Sequence, residues 1–142
     1  MSGLAALLAG HNPPGAYQWH SGSKVDDVRH AVEHAGWRFV HLDGWTVEER
    51  EPFAKALGAA LDLDDSGDLD AVARGLGSAG ADDGRGTVLL WDGYGPLARN
   101  DEATFSEGLG MLADRSAQEP SFAVILRGEG PPLDLEELPL KH

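Results

Sequence analysis

The chain has no cysteine. That excludes disulfide scaffolds, thiol catalysis and thiolate metal sites together. Basic residues are scarce as well: eleven Lys and Arg stand against 24 Asp and Glu, for a formal net charge of −13. Holding a phosphate backbone takes a basic face that displaces counterions, so no nucleic acid is expected as a partner. A basic protein is expected instead. Long apolar runs are missing too. The early run Leu4-Ala5-Ala6-Leu7-Leu8-Ala9 is too short to span a bilayer and has no basic residue ahead of it, as a signal peptide would. No membrane partner is expected, and the sequence reads as that of a cytoplasmic protein.

What is present is the material for one core. Over 142 residues, 42% hydrophobic and 25% charged residues match an ordinary globular domain and argue against disorder. Trp37 to Leu42, Thr87 to Trp91 and Phe122 to Leu126 are continuously apolar, the pattern of strands covered on both faces. Helical spacing joins Phe53, Leu57, Ala60 and Leu61, then Leu69, Val72, Ala73 and Leu76. Either Pro52 at the first helical position or a Thr46–Glu49 capping box begins the first of these helices. Asn100 is placed to cap a helix with Phe105, Leu109 and Leu112 on its buried stripe. An earlier helix carries Val25, Val28, Ala31 and Val32, with Ser23 and Asp26 as its capping residues and Gly36 at its end. Strands joined only through helices run parallel with right-handed crossovers, so the class is α/β.

The chain divides into an N-terminal extension at 1–22, a domain at 23–128 and an acidic, loosely ordered tail at 129–142. Within the extension, Tyr17-Gln18-Trp19 reads as an extra edge strand or a clip over the core. Residues 1–15 and 131–142 show no periodic apolar face, and the domain is expected to fold without them.

Several constellations invite chemistry. Asp62 to Asp70 imitates a calcium loop, but its twelfth position is Ala73 where a bidentate Glu belongs. Asp43 and Asp92 end two strands and suit either a divalent ion or, since each precedes Gly, a strand-ending turn; the turn is favoured. Gly93 to Ala98 imitates a dinucleotide loop, although Pro96 removes a donor and no helix is expected to start promptly. His30 and His34 stand one turn apart and read as surface imidazoles before metal ligands. No Ser or Thr sits in a nucleophile elbow. Trp45, just past a strand end, is the tryptophan best placed to be exposed.

In this order of elements, four strings carry a family resemblance: Phe39-Val40-His41-Leu42-Asp43-Gly44, Leu69-Asp70-Ala71-Val72, Val88-Leu89-Leu90-Trp91-Asp92 and Phe122-Ala123-Val124-Ile125-Leu126-Arg127-Gly128. Over about residues 37–128 the chain resembles the barstar family, small acidic intracellular inhibitors of secreted ribonucleases, and in particular the longer actinobacterial members with an N-terminal extension. The resemblance implies a three-stranded parallel sheet, with room for a fourth edge strand, and helices packed on it. It places the inhibitory surface on the loop and helix from Leu63 to Leu76. Asp70 matches the first key aspartate of the family, and Asp114 falls where the family has a further acidic contact. Asp64 and Asp65 replace the family's aromatic pair, Asp68 stands in for its Asn, and Arg74 replaces its most important acid. The resemblance implies a non-enzymatic protein without cofactor or metal, binding a basic ribonuclease or related toxin through Asp64, Asp65, Asp68, Asp70, Arg74 and Asp114. The alternative is a divergent domain that has lost inhibition and binds another cytoplasmic protein through the same face.

Overall fold

The three continuously apolar segments become the centre of one sheet: β2 (Arg38–Asp43), β3 (Thr87–Asp92) and β4 (Phe122–Arg127), numbered in chain order after a first strand described below. The computed structural model describes residues 3–63, 66–77 and 85–138. Every residue of β3 and β4 is buried, as expected of strands covered on both faces. All three pair in parallel, from the row Arg38, Thr87 and Phe122 to the row Asp43, Asp92 and Arg127.

The sheet is larger than the three strands, or four with an added edge strand, that were expected. It has five, in the order β2-β3-β4-β1-β5, where β1 is Ala16–Gln18 and β5 is Glu136–Glu137. The segment around Tyr17 is therefore an interior strand, neither an edge nor a clip. An open β4 would leave a row of unpaired amides and carbonyls. β1 fills it, and Leu138 N–H donates to the Gln18 carbonyl at 2.8 Å on the far side. The outermost strand is short and doubly acidic, which discourages further edge pairing.

Alternate residues of the strands face two separate cores. On one side α3 (Arg50–Ala60), α4 (Leu69–Leu76), α5 (Gly95–Asn100) and α6 (Glu102–Ser116) bring Phe53, Leu57, Val72 and Leu112 onto Leu42, Leu89, Trp91 and Leu126. On the other side α1 (Gly3–Leu8) and α2 (Val25–His34) cover Phe39, Val88, Leu90 and Ile125. Leu7 of α1 is 1% exposed, and Trp37 Nε1 donates to the Leu8 carbonyl at 3.2 Å. Residues 3–22 thus belong to the fold, and so does much of the tail: Leu138 is 1% exposed, and Leu133 and Leu135 pack against the first core.

Helix boundaries differ in detail. Pro52 is the third residue of α3, and Glu49 occupies the cap without a side-chain bond, so neither expected start is used. Lys24 precedes α2, also without a side-chain cap. A helix does begin promptly after β3: α5 starts at Gly95 with Pro96 in its first turn, where the missing N–H deletes no helical bond. Asp101, not Asn100, caps α6, with Oδ1 accepting from Thr104 N–H at 3.2 Å and Oδ2 from its hydroxyl at 2.8 Å. No helix among the described residues is long and apolar enough to cross a membrane.

Candidate protein-binding face

α4 is amphipathic: Leu69, Val72 and Leu76 are buried, while Asp70, Ala73 and Arg74 face outward. Its start is set by Asp68, whose Oδ1 accepts from the Asp70 N–H at 3.0 Å, so this acid is occupied as a helix cap. Asp70 Oδ1 lies 3.8 Å from Arg50 Nη2, which contacts Glu107 more closely at 2.8 Å. The hydrogen bond that Arg50 donates to Glu107, with the charges of Glu107, Asp70 and Asp101, holds the Arg50 pKa above its usual value despite an opposing desolvation. Arg74 Nη2 sits 4.0 Å from Asp68 Oδ2. These are exposed pairs, each worth about 0–1 kcal/mol, so the side chains are free to turn toward a partner.

Asp114 reaches the same face from α6. Between the helices runs a groove of about 330 Å³ whose lining includes Ala73, Arg74, Gly77, Met111, Asp114 and Gln118. Arg74 and Asp114 line this groove, Asp68 and Asp70 sit at the start of α4, and Asp64 and Asp65 lie outside the described residues. Two further participants carry no signal in the sequence. Arg50 looks there like one more surface cation, and only the side-by-side packing of α3 and α4 places it against Asp70. Arg115 is 2% exposed; its Nε donates to the Leu76 carbonyl at 2.9 Å and its Nη1 to those of Gln118 and Pro120 at 3.2 and 2.9 Å. Its guanidinium also lies 4.9 Å over the Phe122 ring. Burial lowers its pKa, opposed by the charge of Glu119. Arg115 thereby ties the end of α4 to α6 and forms the floor of the groove.

The loop from Asp62 to Asp70 lies partly outside the described residues, and the strand-end acids have local partners. Asp43 Oδ1 accepts from Trp45 N–H at 3.2 Å, a turn. Asp92 is held by Arg127, with Nε to Oδ1 at 3.1 Å and Nη2 to Oδ2 at 3.2 Å, so the two strand-end carboxylates do not converge on an ion. His30 and His34 stack with ring centroids 6.0 Å apart. Among the described residues no group of three or more His, Asp or Glu is arranged to hold a metal ion. No protein-family model matches this sequence, and no curated protein matches it either.

Proposed function

We propose that this is a barstar-like protein that binds a basic ribonuclease or related toxin in the cytoplasm and inhibits it by plugging the active site, with no chemistry of its own. The observation that carries the reading is that Asp114 lines a groove beside α4, whose start carries Asp68 and Asp70, on a chain of net charge −13. A carboxylate pushed into a cationic active site takes the place of a substrate phosphate, and surrounding acids steer the encounter. The crossover order β2, α3, α4, β3, α5, α6, β4 and the four strings quoted above support the same reading.

Arg74 favours a second reading. A guanidinium in the middle of this face repels the cationic site of a generic ribonuclease. It suits instead a specialised partner that carries an acid opposite it, including a cytoplasmic protein that is no ribonuclease. Binding kinetics with a generic basic ribonuclease, and with whatever partner a pull-down from the native cytoplasm recovers, separate the two. Under the first reading Asp70→Ala weakens binding about tenfold or more, and Arg74→Asp strengthens it. Association slows as salt rises. Under the second, Arg74→Asp weakens binding to the recovered partner. Unchanged affinity in both variants would remove this face from consideration.

A further inference from the structure

At the carboxyl end of the sheet, β2, β3 and β4 finish in one row and each is followed by glycine: Asp43-Gly44, Asp92-Gly93 and Arg127-Gly128. Trp45 lies across two of these glycines. A Cβ on Gly93 would come within 2.5 Å of the indole, and one on Gly128 within 3.1 Å; their φ angles of +83° and +120° disfavour a side chain in any case. One side of the indole is therefore packed on backbone. The residue is nevertheless 48% exposed, and it is the exposed large hydrophobic side chain among the described residues. Its backbone is anchored: its main-chain N–H donates to Asp43 Oδ1 at 3.2 Å, and the Gly44 N–H donates to the Asp92 carbonyl at 2.8 Å. A pre-ordered aromatic surface loses little freedom on binding.

Beside the indole is a hollow of about 290 Å³ bordered by Ser21, Ser23, Asp92 and Arg127. Small-molecule sites generally span about 300–1,000 Å³, so this one is sized for a single side chain. The charge of Arg127 is committed to Asp92 and to the carbonyls of Ser21 and Ser23, at 3.3 and 2.6 Å. Arg50, five positions beyond Trp45, faces the acids Glu107 and Asp70 at 2.8 and 3.8 Å. Asp43, Glu48, Glu49 and Glu129 are exposed acids nearby along the chain, against the exposed Lys24 beside Ser23.

We infer that Trp45 is a docking point for an arginine side chain of a basic protein partner, whose guanidinium lies flat on the open indole face with the carboxylates around it. Tryptophan is the strongest of the aromatic partners for a cation, and a planar guanidinium stacks where an ammonium does not. Anionic rings such as nucleotides are repelled by the same field. The inference uses residues outside the α4 and α6 face and stands independently of the ribonuclease reading.

The test is a titration of the full chain with capped hexa-arginine, hexa-lysine and adenosine, following the tryptophan indole N–H resonances by NMR. Trp45→Leu identifies the Trp45 signal and serves as the binding control. The Trp45 signal should move saturably with hexa-arginine while those of the buried Trp19, Trp37 and Trp91 stay in place. Hexa-arginine should bind about threefold more tightly than hexa-lysine and lose about that factor in Trp45→Leu. Equal binding of the two peptides, or no loss in the variant, would mean general charge attraction and overturn the inference. So would a saturable Trp45 shift with adenosine and none with hexa-arginine. Should Trp45→Leu fail to fold, the comparison of the two peptides on the unaltered chain decides by itself.

Discussion

Arg127 ends β4 with its guanidinium divided between the Asp92 carboxylate and the carbonyls of Ser21 and Ser23, so one side chain joins two strands to the segment leading into α2. Both members of the ion pair are nearly buried, at 9% and 12% side-chain exposure. Removing one partner strands the other charge away from water. Arg127→Met is expected to destabilise the protein by about 3 kcal/mol, at the low end for a buried pair because some solvent reaches it, and adding Asp92→Asn should recover part of that loss. Urea denaturation of the single and double variants measures both effects. Arg115 stabilises differently, by donating to three backbone carbonyls at the junction of α4 and α6. Arg115→Met should cost about 2–4 kcal/mol and, by loosening α4 against α6, also weaken partner binding at the groove. A variant that loses stability but keeps full affinity would show that the groove does not need this floor.

α1 illustrates how a six-residue helix, too short to persist alone, becomes structural once its apolar side is covered. Leu4, Leu7 and Leu8 complete the core that holds Val32, Trp37 and Phe39. Leu7→Ala is expected to cost about 2–5 kcal/mol, and deletion of residues 1–9 to abolish the cooperative thermal transition. Retention of that transition in the deletion would show that α2 alone suffices to cover the sheet. The C-terminal segment is anchored in the same spirit: the Tyr94 hydroxyl donates to the Pro131 carbonyl at 3.0 Å, and β5 pairs with β1. Truncation after Glu129 should accordingly lower the melting temperature, through loss of Leu138 and of a partner for β1, whereas the sequence alone suggests a dispensable tail.

For the whole molecule, pH bounds stability from both sides. Burial raises the Tyr17 phenol, reinforced by the charge of Glu136, and burial raises that of Tyr94 against the opposing charge of Arg99. A folded-state pKa above the unfolded one means that the contribution is complete below about pH 10 and is lost as pH climbs through the folded values. Asp101 behaves in the opposite sense. Its side-chain and backbone hydrogen bonds from Thr104 lower its pKa, so its contribution is present above the usual carboxylate range and is lost as pH falls through the lowered value. Thermal melts across pH should show a plateau between these limits, and Tyr94→Phe should flatten the alkaline decline. An alkaline slope unchanged in that variant would assign the decline to other groups.

By itself the sequence determined the α/β class, the three central strands and the connecting helices α3, α4 and α6, though not α5, because a buried parallel strand must be apolar throughout and an amphipathic helix must repeat its apolar residues every turn. It also pointed to the exposed Trp45 and to the acids Asp68 and Asp70 at the start of α4. The outer strands were only partly legible. Three residues of β1 and two of β5 are too few to carry a period, and their pairing answers the open edge of β4, which exists only after the sheet has formed. The pairing of Asp92 with Arg127 and of Asp70 with Arg50 was likewise decided by tertiary structure, since residues 35 and 20 positions apart meet only through the register of neighbouring strands and the packing of neighbouring helices. Local pattern reports which face of each element is covered; what covers it, and which charges are thereby brought together, is a property of the assembled chain.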